Sequence, residues 1–135
     1  MGSILTIKTL DPEQCIDITA QVEQVVQAAG PEAAFCHVMV LHSTAAVIVN
    51  ENDDPNIGVD VITALDRTVP RRGKWLHDRI DDNAHSHIKA SILGPSELIA
   101  MSDGQLLLGK WQGIMLLEFD GPRERRVSVQ FLRGA

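Results

Sequence analysis

Tyrosine is absent, and only three phenylalanines and two tryptophans are spread over 135 residues. Such a chain offers no obvious aromatic platform on which single-stranded bases could stack. Basic residues are outnumbered, 12 against 18 acidic, for a formal net charge of −6. The whole-protein field therefore opposes non-specific binding to nucleic acid or to an anionic membrane, and neither is expected as a partner. Any anionic ligand must be met by a local basic patch. The two cysteines, Cys15 and Cys36, lie far apart with no CxxC or Cys/His finger spacing, which reads as buried or idle thiols in a reducing compartment. No apolar run approaches the length needed to span a bilayer, and the N-terminus lacks the charged-then-apolar pattern of a signal peptide. The expectation is a soluble, cytoplasmic protein. A Walker loop, a dinucleotide fingerprint, a nucleophile elbow and HExxH are all missing, so the common nucleotide and protease readings lapse.

What remains is a chain that is 44% hydrophobic and 22% charged, with no repeat, low-complexity stretch or linker, and long enough to bury a core as one domain over residues 1–135. "SILTIKT" (3–9) alternates as a strand does. In "DITAQVEQVVQAAGP", Ile18, Val22, Val25, Val26 and Ala29 form one apolar stripe, with an Asp cap before it and Gly30-Pro31 after it. "FCHVMVL" and "AAVIVN" are two β-rich runs broken by His42-Ser43-Thr44. The helix pattern returns from Asp54 to Val69, with Pro55 at its first turn and Ile57, Val61, Leu65 and Val69 on one side. Residues 71–83 are loop-like and charged, and "NAHSHIKASIL" reads as a short helix closed by Gly94-Pro95. "ELIAMS", "QLLLG", "GIMLLEF" and "RRVSVQFL", separated by turn residues, read as an antiparallel meander. The fold class is α+β, with two or three helices packed on a largely antiparallel sheet.

Three constellations carry chemistry. The first is His77, His85 and His87 among Asp78, Asp81 and Asp82. Three neutral imidazoles suit a catalytic zinc that keeps a fourth position open. Geometry restricts this, because on one helix His85 and His87 stand about 200° apart around the axis; either an extended conformation, His77 or a neighbouring subunit would have to complete the set. The same stretch also reads as a solvated helix start, capped by Asp82 or Asn83, where nothing binds.

The second is "HSTAAVIVNEN", in which His42 at a strand end can act as a general acid or base near neutral pH. Its neighbours Ser43 and Thr44 could hold an oxyanion, or could simply bond their own backbone in a turn. The third is "LLGKWQGIMLLEFDGPRERRVSVQ". Glu118 shares a strand face with Ile114 and Leu116, so that face is wet or the carboxylate has a partner such as Arg125, Arg126 or a metal-bound histidine. Arg123, Arg125 and Arg126 supply local positive charge suited to phosphate or carboxylate; they also read as charges that blunt an edge strand.

In the order and spacing of "HSTAAVIVNEN", "DDNAHSHIKASILGPS" and "LGKWQGIMLLEFDGPRERRV", the chain resembles the YjbQ family over nearly its full length. The resemblance implies an α+β domain assembled as a homotrimer, with a polar site often occupied by a metal ion, and the activity under which the family is catalogued, secondary thiamine phosphate synthase. The motif residues it marks are His42, Thr44, Asn50, Glu51, Asp82, Asn83, His85, His87, Lys89, Gln112, Glu118 and Arg123, with His77 ahead of the acidic loop. Asp82 stands where many relatives have glycine. The resulting expectation has His77, His85 and His87 holding a divalent metal, with zinc favoured by the imidazole set. His42 and Glu118 are the catalytic groups, and Thr44, Asn50, Lys89, Gln112 and Arg123 contact the substrate. The reading is a metal-binding enzyme acting on a small anionic or phosphorylated metabolite; the alternative is a non-catalytic trimer that sequesters a metabolite or metal.

Overall fold

A computed structural model describes residues 2–134. The strands are β1 (Gly2–Lys8), β2 (Gln14–Asp17), β3 (Ala33–Val40), β4 (Ala45–Glu51), β5 (Ser96–Ser102), β6 (Gln105–Leu106), β7 (Gln112–Glu118) and β8 (Glu124–Arg133). The helices are α1 (Thr19–Val26), α2 (Asn56–Thr68) and α3 (Ala84–Leu93), with a 3₁₀ turn at Leu76–Arg79. Every strand pairing is antiparallel. The α+β domain expected from the sequence is present, but its strands divide between a five-stranded sheet, β1-β8-β3-β5-β6, and a three-stranded sheet, β2-β7-β4. The C-terminal third is therefore not one meander, because β7 leaves the first sheet and β8 returns to it.

Residue patterns explain the layers. Cys36, Val38 and Val40 of β3, with Val127 and Val129 of β8, face Val47, Ile114 and Leu116 of the smaller sheet, and Ile18 with Val22 and Val26 of α1 close that core. The other face of the smaller sheet, with Ala46 and Leu117, is covered by Ile62 and Leu65 of α2 and Ala90 and Leu93 of α3. Strand β7 is thus buried on both sides, which is why "GIMLLEF" is continuously apolar rather than alternating. Gly58 lets α2 approach β2 closely, since a Cβ there would lie 2.6 Å from Cys15 Sγ.

Termini and turns follow from local chemistry. Asp17 accepts the Thr19 amide at 2.9 Å and Asp54 accepts that of Asn56 at 2.9 Å, each satisfying an orphan donor of a first turn. At α3 the side chain that accepts the Ala84 amide, at 3.0 Å, is that of Asp78 rather than Asp82 or Asn83. Asp103 and Gly104 have φ of 52° and 76°, the paired positive values of a tight hairpin turn. Asp82 has φ of 53°, a conformation that favours glycine, and this accounts for the glycine expected there in relatives.

Candidate functional site

Three segments meet at an open cleft of about 1090 Å³. The β3–β4 turn brings His42, Ser43 and Thr44; the start of α3 brings Asn83 and His87 beside Asp81; the β7–β8 loop brings Asp120 and Arg123, with Arg125 of β8 behind them. Asn83 Nδ2 donates to Asp120 Oδ2 at 2.9 Å, and Arg123 donates from Nε to the Asp120 carbonyl at 2.7 Å and from Nη2 to its carboxylate at 3.1 Å. A guanidinium held in this way keeps its direction while remaining half-exposed at the cleft.

Under the cleft lies a fully buried ion pair. Glu118 is 0% exposed and Arg125 2% exposed. Glu118 Oε1 accepts from Arg125 Nε at 2.8 Å and from Thr9 Oγ1 at 2.7 Å; Oε2 accepts from the Asp120 amide at 3.0 Å and from Arg125 Nη2. Arg125 Nη2 also donates to Thr44 Oγ1 at 2.8 Å. Both carboxylate oxygens are thus saturated within the chain and out of contact with solvent. Glu118, expected from sequence to be catalytic, holds Arg125 from beneath the cleft and does not itself line it. Thr44, expected as a substrate contact, is buried and spends its hydroxyl on Arg125. Arg125 is the group that sequence reasoning under-weighted: it lines the cleft, and among the described residues its Nη1 makes no hydrogen bond.

His42 Nε2 accepts the Arg126 backbone N–H at 3.1 Å, which assigns the hydrogen of the neutral ring to Nδ1. Burial, then the positive charges of Arg125 and Arg126, holds its pKa below the ordinary 6.5, so at neutral pH the ring is an uncharged donor.

The three proposed metal ligands do not converge within one chain. His77 and His87 rings stand edge to face, 4.8 Å between centroids, and His77 Nε2 is buried without a hydrogen-bond partner, 3.7 Å from Asp81 Oδ2. His85 instead lines a separate pocket with Glu13, Asp66, Arg71 and Lys89, as the 200° separation on a helix requires. Among the described residues no group of three His, Cys, Asp or Glu is placed to hold a metal. The residues of a single chain therefore do not fit a three-histidine zinc centre.

Lys89 also lies outside the cleft, 1% exposed and bound by Glu13 at 2.7 Å and by Asp66; burial raises the Glu13 pKa, and Lys89 opposes that shift. Asn50 and Gln112 are at the opposite end of their strands. Glu51 pairs with Gln112 whereas Ala45 pairs with Glu118, six residues apart and roughly 20 Å along a strand. In this chain they do not reach the cleft.

Burial, then the charge of Lys89, holds the His85 pKa below 6.5. A histidine that folds into its neutral form contributes stability that is fully present above the unfolded pKa and is lost as pH falls through the folded one. Urea denaturation is accordingly expected to show lower stability at about pH 5 than at about pH 7.5, with a smaller difference in the His85→Gln variant. An unchanged difference in that variant would remove His85 as a cause.

A family model described as "UPF0047 protein YjbQ-like" matches residues 3–134. A UPF0047 protein of Archaeoglobus fulgidus is 41% identical over 128 residues, covering 95% of this chain and 98% of its own. YugU of Bacillus subtilis is 35% identical over 135 residues, covering 98% and 99%. Among solved structures, a Sulfolobus solfataricus protein described as YbjQ-like and of unknown function superposes with a TM-score of 0.95 at 36% identity, covering 99% of this chain and 97% of that one. An uncharacterised Clostridium acetobutylicum protein of the same family gives 0.91 at 40% identity, covering 96% and 99%.

Proposed function

The chain belongs to the YjbQ-like UPF0047 family, and from that premise we propose that its cleft binds a small phosphorylated or otherwise anionic metabolite and that the protein acts on it as an enzyme. The observation that carries this reading is the convergence of His42, Arg123 and buried Arg125 on one open cleft. In a chain of net charge −6, Arg123, Arg125 and neutral His42 offer hydrogen-bond donors there beside the carboxylates of Asp81, Asp120 and Glu124, of which Asp120 is already engaged by Asn83 and Arg123. Arg123 offers a guanidinium fork to anionic oxygens. Neutral His42 offers Nδ1–H to an oxygen that gains charge as a bond breaks, the role of an oxyanion donor. The ion pair with Glu118 fixes Arg125 in place, so its free edge need not reorganise when an anion arrives. The secondary thiamine phosphate synthase activity that accompanies the family resemblance fits the same contacts, which would receive the departing diphosphate.

The test is a panel of phosphorylated metabolites, including the thiamine phosphate synthase substrate pair, followed by both melting shift and product assay. An enzyme of this kind raises its melting temperature with its ligand and releases product. A melting shift with no product from any member identifies a non-catalytic binding protein instead.

A second reading concerns a metal. The unpartnered Nε2 of His77 beside His87 favours a divalent ion, zinc by ligand type, held by these two residues and completed from a neighbouring subunit of a homotrimer. The trimer itself is supported by the outer face of the five-stranded sheet, where Ile4, Phe35, Leu98 and Leu132 are exposed together. Elemental analysis of protein purified without chelator, beside His77→Ala, checks the ion; light scattering of Phe35→Glu checks the assembly. No helix is long and apolar enough to cross a membrane among the described residues, and the cysteines are free, which supports a cytoplasmic setting.

A further inference from the structure

The separate pocket behind α3 has a volume of about 490 Å³, and nothing in the cleft's chemistry uses it. It is bounded by Glu13 near the start of β2, Asp66 and Arg71 around the end of α2, His85 and Lys89 of α3, and Phe119 after β7. Its central cation is spent, since Lys89 is clamped between Glu13 and Asp66. With Asp120 counted, its walls carry three carboxylates against the two cations Lys89 and Arg71. With Lys89 spent in this way, the wall has no excess of positive charge to attract a phosphate.

The polar atom left over is His85 Nδ1. His85 is 6% exposed, and this nitrogen has no hydrogen-bond partner among the described residues. Its protonation follows from its neighbour. Ser86 has a single hydroxyl hydrogen, which it donates to the Phe119 carbonyl at 2.5 Å. The 3.4 Å contact between Ser86 Oγ and His85 Nε2 can then be made only with the ring as donor. The neutral imidazole carries its hydrogen on Nε2, and Nδ1 presents a bare lone pair. A buried acceptor without a donor is costly unless a ligand or water supplies the hydrogen. Pro12, Pro70 and the Phe119 ring complete the wall with apolar faces.

We infer that this pocket is a second ligand site, for a small uncharged molecule whose N–H group is accepted by His85 Nδ1 while Phe119 and the prolines cover its apolar part. A primary aromatic amide has this chemistry. The pocket shares Asp120 with the anion cleft, so the two ligands lie on opposite sides of one hydrogen-bonded wall. The inference requires no anion in the cleft.

The experiment uses the intact protein with labelled histidines and three probes followed by nuclear magnetic resonance: benzamide, acetophenone and inorganic phosphate. Benzamide and acetophenone have nearly the same shape and differ in one donor group. Benzamide is expected to move the His85 ring resonances, to leave those of His42 and His87 in place, and to bind at least about tenfold more tightly than acetophenone, as a site built around a hydrogen bond rejects an analogue lacking it. Equal affinity for the two, movement of His42 and His87 instead, or no movement of His85 at millimolar benzamide overturns the assignment. The phosphate arm separates this result from the function proposed above. Phosphate is expected to move His42 and His87 only; if it moves neither while benzamide moves His85, the second site stands and the anion cleft falls.

Discussion

Glu118→Ala is expected to cost about 3–5 kcal/mol of folding stability, the range for removing one partner of a buried ion pair. The cause is less the lost attraction than the charge left behind: Arg125 is 2% exposed and would keep its guanidinium in the interior with, among the described residues, Thr44 alone to accept from it. Thr9 and the Asp120 amide lose their acceptor as well. Urea denaturation measures the loss. The same reasoning expects Glu118→Ala combined with Arg125→Met to be more stable than Glu118→Ala alone, because the second change removes the uncompensated charge. A single variant within about 1 kcal/mol of the parent, the value of a solvent-exposed pair, would show that the network is not buried as described.

His42→Ala is expected to leave stability nearly unchanged and to reduce turnover of the active panel member about 10²–10³-fold, the usual contribution of one oxyanion donor. Its ring is half-buried and, among the described residues, its one hydrogen bond is accepted from the Arg126 amide, for which water can substitute at that position. The Michaelis constant should move little, because Arg123 and Arg125 hold the anion in the ground state as well as in the transition state. Turnover within about tenfold of the parent would deny His42 that role.

How far the site was legible in the sequence can be judged from single residues. A carboxylate in the run Ile114–Phe119 demanded a partner, and Glu118 has one. Which arginine it takes was hidden, since Arg125 and Arg126 point to opposite faces of β8 and only the pairing of β8 with β1 and β3 decides which one enters the core. The helix stripes of α1 and α2 were plain because their apolar positions repeat at the helical period and both faces were not buried. Strand β2 was missed: four residues with a half-buried pattern give periodicity almost nothing to act on. The helical period also anticipated that His85 and His87 would part company. The separation of Asn50 and Gln112 from His42 and Arg123 depends on the register between β4 and β7, a long-range property that motif spacing does not carry. The second pocket was invisible for the same reason, being assembled from segments as distant as Glu13 and Phe119.

The account rests on the cleft being an anion site built around Arg123, and isothermal titration of the intact protein with inorganic pyrophosphate, beside its Arg123→Ala variant, tests that directly. Arg123 is half-exposed, so the variant keeps its fold. The expected result is saturable binding to the parent and affinity at least about tenfold weaker in the variant, the scale of one lost charge-assisted hydrogen-bonded contact. No saturable binding to the parent, or equal affinity in both proteins, would contradict it.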